Sequence, residues 1–404
     1  MSKAYEVQKI EIKLNEEDRL SLDRTSKTLC KLNNSLIDSM EKDFLKSGDI
    51  RRIQDYYTVL NRVDDFKRKY TEFDDLYYLL SKSVGFRVLD SVKKLPYGTR
   101  AININHKDWE SDWYSLFYSK KGTGFSVKNR VITFQISKNE SIQATLTEKI
   151  GHYDIINMRI DKQHYRYFAI FCHKVEIPKI ILPNQVKRWI AIDQNHENFF
   201  TGIDNRGITY RFEKLKSETY FNQTIDDIVD KIKACTNPYR KDRLYKALNR
   251  VTNKRAEQTF SALHSISKVI ATNFDAVLIG NYVPCRDDLP YENLKKIMVD
   301  RTHIARFRSI LEWDMKKRGK IFVLVDEKNT TSSCCICGNK EHKDPSIREF
   351  TCKKTGTKVI RDLNSCVNIA RKGGAPIAQP IPVVTKINQV YIYDYRISKV
   401  RRVI

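Results

Sequence analysis

Apolar and polar positions follow two different periods along the chain, and the changes of period mark out its parts. Tyr5 to Lys13 (YEVQKIEIK) alternates with a period of two and predicts a strand. Asn15 then stands as an N-cap with acidic residues behind it. Leu29, Leu32, Leu36 and Met40 recur at spacings of three and four, as one face of a helix requires. A second helix is predicted from about Asp74 to Leu95, with Leu76, Leu80, Val84, Val88 and Val92 in a row and Lys82, Arg87, Lys93 and Lys94 on its other faces. From about Phe125 to Val175 the period returns to two in VITFQI, SIQATLTEKI, DIINMRI and YRYFAIFCHKV. A strand, a helical insertion and several further strands suit a β-barrel interrupted by helices.

A new unit begins near Pro183. RWIAID is a short buried strand ending in an acid, and Asp204-Asn205-Arg206-Gly207 is a turn between FFTGI and ITYRF. A long helical region follows, its apolar stripe marked by Leu244, Leu248, Val251, Phe260, Leu263, Ile266 and Ile270. Arg240, Lys241, Arg243, Lys246, Arg250, Lys254 and Arg255 crowd its opening turns. Then come the strand AVLIGNYV, a helix from about Thr302 with Gly319 at C′, and the strand IFVLVD. This order predicts an α/β domain with a mainly parallel sheet.

Charge narrows the partners. The 404 residues hold 73 Lys and Arg against 49 Asp and Glu, a net charge of +24, which points to a polyanion and first to nucleic acid. No apolar run approaches the ~18–20 residues of a membrane span, and the opening MSKAYEVQKIEIK has no signal-peptide core, so the expected location is the cytoplasm with no membrane partner. The nine cysteines are odd in number and clustered, which fits a reducing compartment better than a disulfide framework.

Two sets of residues could do chemistry. Ligands gather at the carboxyl ends of strands in α/β sheets, and acids stand there: Asp193 closes RWIAID, Asp326-Glu327 closes IFVLVDE, and Asp362 opens RDLNSCVNIARKG. Three carboxylates on one sheet edge repel without a cation; with Mg²⁺ they make an all-oxygen site able to hold two ions and drive attack on a phosphodiester. Cys334-x-x-Cys337-Gly338 is a zinc-knuckle motif, and Cys352 follows at zinc-ribbon spacing. A full ribbon would have a fourth cysteine at 355, where Thr355 stands. His342 or Cys335 could supply the fourth ligand, or the knuckle could hold its shape by packing alone. Cys30, Cys172, Cys235 and Cys285 are isolated and read as core fillers.

RWIAIDQNHENFFTGID, TTSSCCICGNK and FTCKKTGTKVIRDLNSCVNIA, in that order, resemble the TnpB family of insertion-sequence-encoded RNA-guided nucleases, related to the small type V CRISPR effectors. The resemblance implies a wedge β-barrel (1–14 and 98–182) with an inserted helical recognition domain (15–97). A RuvC-like nuclease domain of RNase H-like fold (183–328 and 357–380) then carries a zinc-ribbon-like insertion (329–356), followed by a basic tail (381–404). It implies Mg²⁺-dependent cleavage of double-stranded DNA beside a short target-adjacent motif, directed by a guide RNA held by one protein or by a dimer. Asp193 matches the first RuvC acid and Asp362 the last. The middle glutamate of the family is missing, because Gly280 and Asn281 occupy its strand. Either the nuclease is inactive, as in repressors that keep RNA-guided binding, or Glu327 on the next strand has taken over, with Asp326 pointing to the opposite face. Lys82, Arg87, Lys93, Lys94, Arg240, Arg243, Arg250, Lys254 and Arg255 are candidate grips on RNA or DNA, as are Lys386, Arg396, Lys399, Arg401 and Arg402.

Overall fold

Period-two alternation builds the first sheet and period 3.6 the helices laid into it. The computed structural model describes all residues except 1, 97–103, 110–115, 120, 152–153, 164–165, 196, 284, 286–290, 292–294, 296–302, 342–346 and 376–384. Two compact units emerge, Ser2–Glu176 and Ile177–Ile404.

In the first unit, β1 (Ser2–Lys13) is followed by α1 (Glu16–Ser47), α2 (Ile50–Ile53), α3 (Tyr56–Lys69), α4 (Thr71–Asp74) and α5 (Tyr78–Lys93). Then come β2 (Leu116–Tyr118), β3 (Phe125–Lys128), β4 (Val131–Gln135), β5 (Ser141–Leu146), β6 (Asp154–Gln163) and β7 (Arg166–Ile177). The strand order is β2-β6-β7-β1-β5-β4-β3. The sheet nearly closes on itself: Tyr118 of β2 packs 6.0 Å from Phe125 and 5.9 Å from Phe134, and its hydroxyl donates to the Gln135 carbonyl at 2.8 Å. Asn15 caps α1 by accepting from the Asp18 N–H, and Gly48 ends it at φ +63°. The helix expected from Asp74 starts instead at Tyr78. Leu76 forms a bridge with Ser137, and the Tyr77 N–H donates to the Ile136 carbonyl, so these residues pair with the sheet first. Leu29, Leu32, Leu36 and Met40 of α1, Val84 and Val88 of α5, and Ile132, Phe134 and Met158 of the sheet share one core. Each such side chain contributes about 1.5–3 kcal/mol by leaving water.

The second unit runs β8 (Trp189–Gln194), β9 (Phe200–Asp204), β10 (Thr209–Phe212), α6 (Lys216–Ala234), α7 (Pro238–Asn273), β11 (Ala276–Gly280), α8 (Ile304–Lys317) and β12 (Ile321–Val325). It continues with β13 (Glu349–Thr351), β14 (Lys358–Ile360), α9 (Arg361–Lys372), β15 (Gln389–Asp394) and β16 (Lys399–Arg402). Its sheet has the order β12-β11-β8-β9-β10-β15-β16, with β12, β11 and β8 parallel and β9 reversed. Buried alternation along β8 serves two layers. Ile190 and Ile192 face Leu263, Ile266 and Ile270 of α7, while Trp189 and Ala191 face Cys366, Ile369 and Ala370 of α9. The opening half of α7 stays outside this core, and Phe260 of the predicted stripe is exposed. The alternating segment near the end of the chain (VYIYDYRI) packs as a strand: β15 lies parallel to β10, and Tyr391 stacks on Phe212 at 4.8 Å.

Candidate active site

Parallel pairing brings the acids to one edge. Ile192 of β8 pairs with Ile279 of β11, so Asp193 and Gly280 leave the sheet side by side. Gly280 pairs in turn with Val325 of β12, and Glu327 lies two residues further on. Asp193 is buried, and its proton affinity is held well above the usual aspartate range by that burial, then by the charges of Glu327 and Asp362, with Arg361 opposing. Burial also raises Glu327, against a hydrogen bond from the Tyr282 N–H and the charge of Arg308.

Glu327 lies directly over Gly280. A Cβ at position 280 would fall 1.5 Å from Glu327 Oε1 and 2.4 Å from its Cγ, so the carboxylate fills the space where a side chain on β11 would begin. Asp326, its rival, is exposed; it accepts from the Lys328 N–H at 3.1 Å and stands 3.7 Å from Lys372 Nζ.

Asp362 enters from the first turn of α9 and is buried. Asn195 Nδ2 reaches its Oδ2 at 3.3 Å, and Arg361 Nε and Arg348 Nη1 stand 3.7 and 3.8 Å from its Oδ1. Arg348 also reaches Glu197 at 2.5 Å. Further along α9, Asn364 and Asn368 each donate to the Thr330 and Ser333 carbonyls, pinning the segment between Glu327 and the cysteines. Sequence reasoning missed Asn195, Arg348 and Arg308; position just after the β8 acid and just before β13 was the available signal for the first two. The charges of Glu327 and Asp362 both bear on Asp193, so the three carboxylates are neighbours at this edge, though their oxygens do not all lie within 4.8 Å of one another; hard oxygens of this kind suit a divalent cation.

The sulfurs of Cys334, Cys337 and Cys352 all lie within 4.8 Å of one another and could hold a metal ion. Two matching turns present them: the Gly338 N–H donates to the Cys334 carbonyl and the Gly356 N–H to the Cys352 carbonyl, each at 2.8 Å. Thr355 occupies in the second turn the place of Cys337 in the first, its hydroxyl donating to that of Thr357 at 2.9 Å, and the polar groups of Thr355 and the turn's backbone N–H groups pull the Cys352 thiol down to about 6. Of the expected fourth donors, Cys335 lies apart from the trio, in the apolar core beside Val359 and Cys366, where burial pushes its thiol up to about 11. His342 lies outside the described residues.

The candidate grips divide. Lys82 is buried, with Nζ 2.7 Å from Asp64 and 3.1 Å from the Leu60 carbonyl, because the α5 face that carries it packs on α3. Arg87 is largely buried too, and desolvation lowers it to about 10. Lys93, Lys94, Arg240, Arg243, Arg250 and Lys254 are exposed. Arg255 is half-buried and donates to Asn222 at 2.5 Å.

Residues 305–369 match the family model described as Cas12f1-like, TNB domain. Over 91% of this chain and 99% of the other, the structure is similar to that of a Cas12f1–sgRNA–target DNA complex, with TM-score 0.60 at 12% identity. The fold is Cas12f1-like. A second CRISPR-Cas12f ternary complex gives TM-score 0.36 at 13% identity over 88% of this chain and 82% of the other. No curated protein matches by sequence. Among the described residues, no helix is long and apolar enough to cross a membrane.

Proposed function

We propose that this protein is an RNA-guided DNA endonuclease of the TnpB or small type V kind, with a RuvC-like site completed by Glu327. The observation that carries the reading is the Glu327 carboxylate lying in the space above Gly280, beside Asp193. The match of 305–369 to a Cas12f1-like domain and the likeness to a Cas12f1 solved with guide RNA and target DNA support the choice of partners.

Asp193, Glu327 and Asp362 would hold Mg²⁺, which when bound activates water and stabilises the leaving oxygen of a phosphodiester. The chain's own residues prepare that site. Glu327 crosses the ~4.8 Å from β12 to β11, where Gly280 stands next to the β8 strand that carries Asp193. Asn195 and the guanidinium groups of Arg348 and Arg361 orient Asp362. The exposed bases of α7 would grip nucleic-acid backbone, while base pairing with the guide supplies specificity. Cys334, Cys337 and Cys352 would hold a structural zinc ion in a ribbon-like insertion.

The glycine at 280 favours a second reading, a repressor that binds through guide RNA without cutting. Mg²⁺-dependent cleavage of a guide-matched plasmid bearing a randomised flank separates the two. Guide-dependent cutting is expected; guide-dependent binding with no cutting across several divalent metals would establish the repressor.

A further inference from the structure

We propose that Gly280, Asn281 and Arg308 are positioning residues that form a seat for the Glu327 carboxylate. The inference rests on the reading of Glu327 as the third acid of the site.

Each residue contributes a different constraint. Gly280 contributes space. It sits in a strand with no positive φ, so backbone freedom does not call for glycine there; the missing Cβ does, because Glu327 Oε1 would be 1.5 Å from it. Arg308 fixes the floor: its buried guanidinium donates from Nη1 to the Gly280 carbonyl at 2.9 Å and sets a positive charge beside Glu327. Asn281 tethers the turn twice. Its N–H donates to the Val325 carbonyl at 2.9 Å, extending the β11–β12 ladder by one rung, and its Oδ1 accepts from the Glu327 N–H at 3.3 Å. Behind Glu327, the N–H and hydroxyl of Thr330 donate to its carbonyl at 3.0 and 2.8 Å. A glutamate on a loop has three side-chain torsions to fix before it can serve as a ligand, and these contacts fix its backbone and the volume open to its carboxylate.

The seat makes an unusual demand on a mild substitution. Gly→Ala in ordinary strand backbone costs little or stabilises. Here Gly280→Ala must drive Glu327 from its place, and since the colliding atoms, from Cγ outward, all belong to one side chain and none to backbone, the fold can absorb the change while the site cannot.

The test uses the full chain with its guide RNA. Mn²⁺ affinity is measured by calorimetry on wild type, Gly280→Ala, Asn281→Ala, Arg308→Met and Arg308→Lys, alongside thermal melting and guided cleavage. Gly280→Ala and Arg308→Met should weaken Mn²⁺ binding about 10- to 100-fold, the range for residues that orient metal ligands. Gly280→Ala should melt near wild type, Arg308→Lys should recover part of the loss, and Asn281→Ala should fall between. Wild-type Mn²⁺ affinity and cleavage in Gly280→Ala would overturn the seat. Should Arg308→Met not fold, Gly280→Ala and the exposed Asn281→Ala decide the matter. Glu327→Ala tells the two ideas apart: if it binds Mn²⁺ and cuts normally, the reading of the third acid fails. If it is inactive while Gly280→Ala is normal, the seat alone fails.

Discussion

Set against the family they resemble, two motifs in the second unit lack one member each, and the chain treats the two vacancies differently. At the acid edge, position 280 carries no side chain at all, and a carboxylate from the next strand lies in the space. In the cysteine turns, Thr355 keeps the position of the missing thiolate, and the turn around it repeats the backbone of its partner. The difference is one of volume and reach. A glycine at a strand end, ~4.8 Å from a neighbouring strand, leaves room for a long side chain to cross. A threonine in a knuckle fills its own place and offers a hydroxyl where the set lacks a thiolate.

The largest effects are expected at Asp193 and Asp362. Asp193→Ala and Asp362→Ala should each lower guided cleavage by about 10³-fold or more, because a lost metal ligand removes several kcal/mol of transition-state stabilisation. Target binding, measured by gel shift, should hold within a few-fold. Cleavage close to wild type in either variant would mean that this edge is not where the chemistry occurs.

Thr355→Cys sharpens the other side. With a fourth thiolate the site should bind zinc at least about tenfold more tightly, which at fixed free zinc adds about 1.4 kcal/mol to stability. Metal analysis of unchelated wild type should give about one zinc per chain, and Cys352→Ser should release it. Equal zinc affinity in wild type and Thr355→Cys would mean that a donor besides the three cysteines already completes the set.

The burial of Asp193 makes a pH-dependent prediction. Its folded-state proton affinity is raised, so ionisation costs stability, and that cost grows as pH rises from the unfolded aspartate value of about 4. Asp193→Asn should therefore melt higher than wild type at pH 7 without metal, by about 2–4 °C for each kcal/mol relieved. Near pH 3.5 the gain should vanish, and Mg²⁺ should raise the melting temperature of wild type more than that of the variant. A gain independent of pH would trace to packing instead.

The smallest effects separate the basic residues. Arg250→Ala and Lys254→Ala should weaken nucleic-acid binding uniformly across sequences and each reduce the salt slope by about 1. Lys82→Met should leave that slope unchanged and lower the melting temperature, since Lys82 is spent on Asp64 and the Leu60 carbonyl. A salt slope altered by Lys82→Met would mean that α5 opens on binding.

How much could be read in advance follows from the distance between the parts. The cysteine trio lies within one short segment, so spacing alone exposed it. Asp193 and Asp362 were visible as acids at element ends. Glu327 was separable from Asp326 by strand alternation, which turns the two to opposite faces; that its carboxylate lies over Gly280 follows only from β12 pairing with β11. Arg308 and Arg348 look like any other bases in a chain of net charge +24, and only their distances to Gly280 and Asp362 single them out. Lys82 misled for the opposite reason: helical periodicity assigns faces to a helix but not the neighbours that cover them. The last two strands alternate clearly, yet their pairing with β10 spans too much chain for local pattern to foretell.

The most direct test of Glu327 is single-turnover cleavage of a guide-matched target by wild type and Glu327→Ala in Mg²⁺, with target binding measured on the same preparations. Binding should hold within a few-fold and cleavage should fall by about 10³-fold or more, as for loss of any metal ligand. Cutting by Glu327→Ala at the wild-type rate would show that the space above Gly280 is filled by a bystander.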